Sequence, residues 1–455
     1  MRPLPHTIAL CMLVIAACSD PSPPTAASGG SDGTAQAFQE VLGRLKLVKQ
    51  EYAIAVGDGG VVDPVEYEES QMFAEQAALH YRRVRDWTKS RDPGAATGIE
   101  SGLVELMKLV DGKRPVADAN RLLDRLVEQV AAVSPSKIPP AVEGTRDAVA
   151  RADAMITAEA QVSGYRIGVL SGPPRTLYLR RDDGSLAPSA PAAGATHYVA
   201  VVLREARTKR FLPGSTITAR VAGGAPVELH HLWGEFFQYG ANVEAPEGRF
   251  ELEVTASPPA YCRHGDMLAS FVKPATATFH ASREGTALRF DGEKPAPGAP
   301  DYAVGDDVLQ ALGEARWKGE AGPYALGFIA EGPEPIWLWK NGRPELEPAA
   351  KDDTNHLEIA LMDRSSMRII PEGDVRLTLE RMDVKSAPVE VELHPLLSSF
   401  YHYGKTLRVP AGRYRVTVRA EPPRFGALQP GAFVDRAEAT FEWDNQPRIA
   451  AARGG

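Results

Sequence analysis

Residues 228–240 read ELHHLWGEFFQYG and residues 392–404 read ELHPLLSSFYHYG, with seven of thirteen positions identical without a gap. A chain that repeats one phrase at domain-sized spacing (392 − 228 = 164 residues) is building one structural unit twice. The match extends in both directions. GYRIGVLSGPPRTLYL from 164 aligns with PYALGFIAEGPEPIWL from 323, setting Tyr165 against Tyr324 and Gly168 against Gly327. ATHYVAVVLREARTKRFLPG aligns with TNHLEIALMDRSSMRIIPEG, pairing His197 with His356 and Gly214 with Gly373. VEAPEGRFELEVTASPP aligns with LRVPAGRYRVTVRAEPP. The copies span 164–291 and 323–445, and a linker over 292–322 contains the weakly helical DDVLQALGEAR. Two copies are too few for a solenoid.

Within each copy the pattern is of short alternating runs divided by Gly and Pro, such as STITARV, RFELEVTA and RYRVTVRA. Evenly spaced short strands predict an Ig-like β-sandwich. Residues 37–163 carry a helical period instead. Phe38, Val41, Leu45, Val48 and Tyr52 make one apolar stripe; Phe73, Ala77, His80, Val84 and Trp87 make a second. Further stripes run through Leu103 and Leu106, through Leu123 and Leu126, and through Val142, Val149, Ala152 and Ile156. Short connections between them predict an antiparallel helical bundle. DPVE opens the second helix, with Asp63 as cap, Pro64 in the first turn and Glu66 completing a capping box. The fold class read here is thus α+β multidomain, a helical bundle followed by two tandem sandwiches.

Residues 1–18 have the form of an export signal. Arg2 precedes the apolar run IALCMLVIAAC, which is too short for a permanent membrane span. IAAC at 15–18 resembles the lipobox of bacterial lipoproteins, which implies a lipid on Cys18 and anchoring to a membrane of the bacterial envelope. The polar stretch 19–36 suits a disordered tether. The mature chain would hold only Cys18 and Cys262, too few for a disulfide framework. A formal charge of −8 argues against a nucleic-acid partner and is compatible with binding of small cations.

Histidine in an exported chain with so few cysteines offers a neutral imidazole to a transition metal. His356 and Glu358 lie two apart on a predicted strand, hence on one face, whereas adjacent His230 and His231 point to opposite faces. Aromatic residues around them serve a core equally well. No HExxH, GxSxG, P-loop or dinucleotide fingerprint is present, so no catalytic residue is nominated.

A strand histidine, a histidine in HYG, a GxY strand and a PP pair together resemble the periplasmic ferrous-iron transport protein family. These are small Ig-like proteins that bind copper and iron and serve an iron permease. The resemblance implies a ligand set of His-x-Glu on an early strand, a methionine seven residues before the HYG histidine, that histidine, and a late histidine after PP. In copy one it places His197, Val199 in place of the glutamate, His231 at the methionine position, Gln238 in place of the HYG histidine, and His264 as the late histidine. In copy two it places His356, Glu358, Pro395 at the methionine position with His394 beside it, His402, and Leu428 in place of the late histidine. It implies an iron or copper ion held chiefly by His197, His231 and His264, supported by His356, Glu358 and His402. It also implies that the two copies pack as a pseudo-dimer, as the family's dimers do.

EYAIAVGDGGVVDPVEYEE at 51–69 is similar to the extracytoplasmic helical domain of some bacterial iron permeases of the Ftr type. That implies a membrane iron permease as partner, since the permease's own membrane helices are not part of this sequence. Two other readings stay open. One is an envelope interaction protein whose sandwiches no longer bind metal; the other is a ferroxidase using Glu68 and Glu69 of the bundle.

Overall fold

The computed structural model describes residues 31–445 except 58–59, 135–139, 264–266, 268–269, 296–307, 309–310, 312–314 and 399. Cys18 and His264 therefore lie outside the described residues. The helical unit consists of α1 (Ser31–Ala55), α2 (Pro64–Arg91), α3 (Pro93–Asp111) and α4 (Val116–Val133), each packed on the next, with α4 closing on α1. Helix α1 begins at Ser31, inside the stretch read as tether. Asp63 caps α2 as expected, accepting from the Glu66 amide at 3.4 Å, and Asp92 caps α3 through the Ala95 amide at 2.9 Å. The predicted stripes form the bundle core, with one change: Tyr81 is buried where His80 was expected. His80 lies at the edge of the bundle, 2.9 Å from Glu40. Burial would raise the Glu40 carboxyl, but the His80 hydrogen bond and the charge of Arg83 outweigh it and hold the pKa at about 2.

The fifth predicted stripe belongs to a different core. Helix α5 (Pro140–Met155) lays Ala148 and Ala152, with Ile156 just beyond, on the outer face of the first sandwich, against Leu170, Tyr198, Ala200 and Val202. Arg204 is fully buried and fixes this docking. Its guanidinium pairs with Asp153 of α5 at 2.7 Å and with Glu159 at 2.6 Å. In the second copy Val308 and Ala311, from the stretch read as linker, pack in the same way on Ala325, Ile329, Ala360 and Met362. The repeated unit therefore includes apolar residues ahead of each sandwich that cover its outer face, which a stripe pattern alone does not assign to a partner.

Each copy is a sandwich of two antiparallel layers. In copy one the strands Ala158–Val162, Tyr165–Gly172, His197–Glu205, Gln238–Val243 and Pro226–Trp233 run side by side in that order. The second layer holds Ile217–Val221, Gly248–Ala256, Ala275–Glu284 and Ala287–Phe290. Pro226–Trp233 pairs with both layers and joins them. Copy two repeats the plan, but its equivalent strand is interrupted at Leu393, giving Val389–Glu392 in one layer and His394–Leu397 in the other.

The copies exchange short strands. Pro258 and Pro259 cannot donate to a ladder, so the long strand ends there. The chain then crosses, and Cys262–Arg263 pairs in parallel with Leu396–Leu397 of copy two and, through Arg263, with Trp337. Reciprocally, after Pro422 and Pro423, Gly426–Ala427 pairs in parallel with Leu232–Trp233 of copy one and, through Ala427, with Tyr178. One continuous core results, in which Trp233 stacks on Phe425 (5.8 Å, 14°) and Tyr261 meets Tyr401 edge-on (5.5 Å). Arg204→Ala should destabilise the first sandwich by about 2–3 kcal/mol, because two carboxylates lose a fully buried partner while Lys209 and Arg166 remain with Asp153 and Glu159. Chemical denaturation of the variant beside the wild type measures this.

Candidate metal centre

In copy two, the strand Asn355–Asp363 is buried on both faces and pairs with Tyr401–Leu407, setting Glu358 opposite Gly404 and His356 opposite Thr406. Directly opposed residues share a face, and so do residues two apart. His356, Glu358 and His402 therefore all project to the outer side of the sheet, where their exposures are 0%, 4% and 2%. Glu358 Oε1 lies 3.4 Å from His356 Nε2 and 3.3 Å from His402 Nε2. The rings stand at 88° to one another with centroids 6.2 Å apart, and one ligand atom from each residue falls within 4.8 Å of the others.

Gly404 permits this closeness. A Cβ there would sit 2.5 Å from His356 Nε2 and 3.3 Å from a carbon of the His402 ring. The glycine of HYG is thus part of the site, a role the sequence pattern marked without explaining.

The ring orientations are set from behind. Thr406 Oγ1 donates to the Glu334 carbonyl at 2.7 Å, which leaves it as acceptor for His356 Nδ1–H at 2.8 Å. His402 Nδ1 lies 3.3 Å from the Phe400 carbonyl. With both Nδ1 atoms as donors, each Nε2 brings its lone pair toward Glu358. The Glu334 carboxylate stands 3.5 Å from His356 Nε2 at the rim. Two imidazole nitrogens and a buried carboxylate form a borderline donor set suited to a divalent first-row ion. The residues present fit such an ion. Thr406, Glu334 and the Phe400 carbonyl were not singled out from sequence, since nothing in their local pattern signals which ring they hold.

Copy one differs at each equivalent position. The sequence alignment opposed His197 to His356, but the sheet register is one residue removed. Ala200 pairs with Gly240 as Glu358 pairs with Gly404, so Tyr198 occupies the place of His356 and Ala200 that of Glu358. Val199, read as the glutamate's replacement, points to the inner core. His197 faces the other side of the sheet, with Thr196 Oγ1 at 3.0 Å and the Thr286 carbonyl at 3.1 Å. His231 pairs with Tyr239, stacks on its ring (4.6 Å, 17°) and meets Glu372 of copy two at 2.6 Å. The structure therefore does not bring His197 and His231 together, and the three-nitrogen site expected in copy one is corrected to that extent. The site position in copy one holds Tyr198, whose hydroxyl donates to Gln238 Oε1 at 3.1 Å.

Two further groups bear on the sequence readings. Cys262 is buried among Ile336, Leu338 and Leu396, and that burial pushes its thiol pKa up. In the bundle, carboxylates of Glu51, Glu66 and Glu69 approach within 4.8 Å, whereas Glu68 is exposed and outside the group.

Residues 30–137 match the family model of the iron permease-associated 4-helix bundle domain. No curated protein matches the chain. Among solved structures it is similar to a copper-bound variant of FetP from uropathogenic Escherichia coli strain F11, at 21% identity and a TM-score of 0.24, over 29% of this chain and 95% of that one. It is similar also to as-isolated FetP of the same strain, expressed in the periplasm of E. coli, at 20% identity and a TM-score of 0.24, over 29% and 94%.

Two outcomes are expected from this geometry. Gly404→Ala should destabilise the chain by about 1–3 kcal/mol in denaturant unfolding, because the new methyl overlaps the His356 ring. The Glu372 carboxyl is raised by burial, but the charge and hydrogen bond of His231 outweigh this and leave its pKa lowered. Its contribution is therefore present above the ordinary glutamate range and is lost as pH falls through the depressed folded value. Unfolding measured from neutral pH down to about pH 3 should show the wild type's advantage over Glu372→Gln shrinking below about pH 4.

Proposed function

We propose that this chain is a non-catalytic, lipid-anchored accessory protein for iron or copper acquisition at the bacterial envelope. It would carry one divalent ion as cargo in the second sandwich. The observation that carries this reading is the meeting of His356 Nε2, His402 Nε2 and the Glu358 carboxylate above Gly404. A buried carboxylate and two ring nitrogens oriented through their Nδ1 atoms make a donor set that one divalent ion can share. The bundle's match to a permease-associated domain supports a membrane iron permease as the protein that receives the ion. Among the described residues no helix is long and apolar enough to cross a membrane. Export and anchoring in this reading rest on the leader and Cys18.

The two copies would work as a covalent pseudo-dimer, a reading supported by their reciprocal strand exchange. His264 stays a candidate ligand on the family resemblance alone. His197 and His231 take structural roles in this reading.

Calorimetric titration with cupric or ferrous ion tests it. The expected stoichiometry is one ion per chain. His356→Ala and His402→Ala should weaken binding about 100-fold or more, and His264→Ala by about tenfold, whereas His197→Ala and His231→Ala leave it unchanged. A purified protein that takes up no stoichiometric copper or iron at saturation would instead be an envelope interaction protein.

A further inference from the structure

The position that holds the metal cluster in copy two is occupied in copy one by a cleft of about 860 Å³. We infer that this cleft is a second binding site, built for a small organic carboxylate with a flat apolar part. The inference does not depend on the second sandwich binding metal.

The substitutions between the copies reverse the chemistry of the site. Tyr198, Ala200 and Gln238 stand where His356, Glu358 and His402 stand in copy two. Two imidazoles and a carboxylate, which present lone pairs, are replaced by a phenol, a methyl and an amide. The phenol lies across Gly240 as the His356 ring lies across Gly404; a Cβ on Gly240 would be 2.0 Å from its oxygen. Tyr198 and Gln238 are 2% and 3% exposed. Because Gln238 Oε1 accepts from Tyr198, its amide nitrogen is the end left to donate. Ala200 is covered by Ala148, Ala152 and Ile156, so Tyr198 and Gln238 are the two of the three that line the cleft.

The charged side chains that line the cleft are Arg175 and Glu235. The Arg175 guanidinium is exposed and lies 5.5 Å from the Tyr198 ring centre. Arg368 packs 3.7 Å over Trp233 and donates to the carbonyls of Gly234 and Glu235. Arg151 pairs with Glu235 at 2.8 Å. Arg151 thus offsets the lining carboxylate, Arg368 is engaged by the two carbonyls and by the nearby charge of Asp363, and Arg175 is the guanidinium left to meet a ligand. Trp233, Phe236, Leu170 and Leu428 give the cleft flat, apolar walls. A volume of this size is typical of small-molecule sites, and guanidinium groups are the preferred partners of carboxylates.

Benzoate serves as the probe, with benzylamine as the oppositely charged control, in calorimetry on the full chain. Benzoate should bind saturably and benzylamine should not. Arg175→Ala, a change at an exposed position, and Gln238→Leu should each weaken benzoate about tenfold. His402→Ala, which disables the metal cluster, should leave benzoate binding intact and so separates this site from the other. The inference is overturned if folded wild-type protein shows no saturable benzoate binding, if benzylamine binds equally well, or if Arg175→Ala has no effect.

Discussion

A backbone that crosses into another sandwich must find hydrogen-bond partners there, and this requirement holds the two halves of the molecule together. After each proline pair the chain leaves its own layers and fills a gap in the other copy's sheet. Arg263 shows how fully one crossing is buried. It has no exposed surface, donates to the carbonyls of Pro259, Tyr261 and Phe271, and lies between the rings of Trp339 (4.3 Å) and Tyr261 (5.0 Å). The opposite crossing carries Phe425 into the aromatic cluster of Trp233 and Phe237. Neither copy closes its own site region without the other.

Much of this architecture was legible because duplication leaves a signal that does not depend on propensity. The two HYG-like phrases located equivalent strands, and the 3.6-residue stripes located the helices. The error in pairing His197 with His356 has a definite physical source. HYVAVVLRE is buried at all nine positions, so it lacks the alternation that fixes which residues face which side. Two histidines attract one another in an alignment, and a one-residue slip costs nothing there while reversing every side chain in space. Helix α5 was assigned to the bundle for a similar reason. Its stripe records that one face is covered and says nothing about the cover, which proved to be Leu170, Tyr198 and Val202.

The site itself was half legible. His356 and Glu358 announce a shared face by their spacing, and HYG supplies His402, but the pairing that brings them together is a matter of sheet register. The groups that orient the rings, Thr406 and the Phe400 carbonyl, are recognisable only in three dimensions. The same scaffold position in copy one shows how little is needed to change a site's sign. Three side chains differ above an unchanged glycine, and a place where two rings meet a carboxylate becomes one where a phenol donates to an amide.

The contact between His231 and Glu372 brings out what fusion makes available. These residues occupy positions whose counterparts could not form such a pair: Pro395 for His231 and, with the one-residue shift of register, Gly214 for Glu372, whose carbonyls accept from the equivalent amides of Ala260 and Arg424. In an assembly of identical subunits every mutation appears on both sides of the axis, so an imidazole on one flank arrives with an imidazole on the other. Tethering the halves in one polypeptide lifts that restriction. Each flank can then drift alone, and the acid–base contact at 2.6 Å is made on one side of the seam without its mirror.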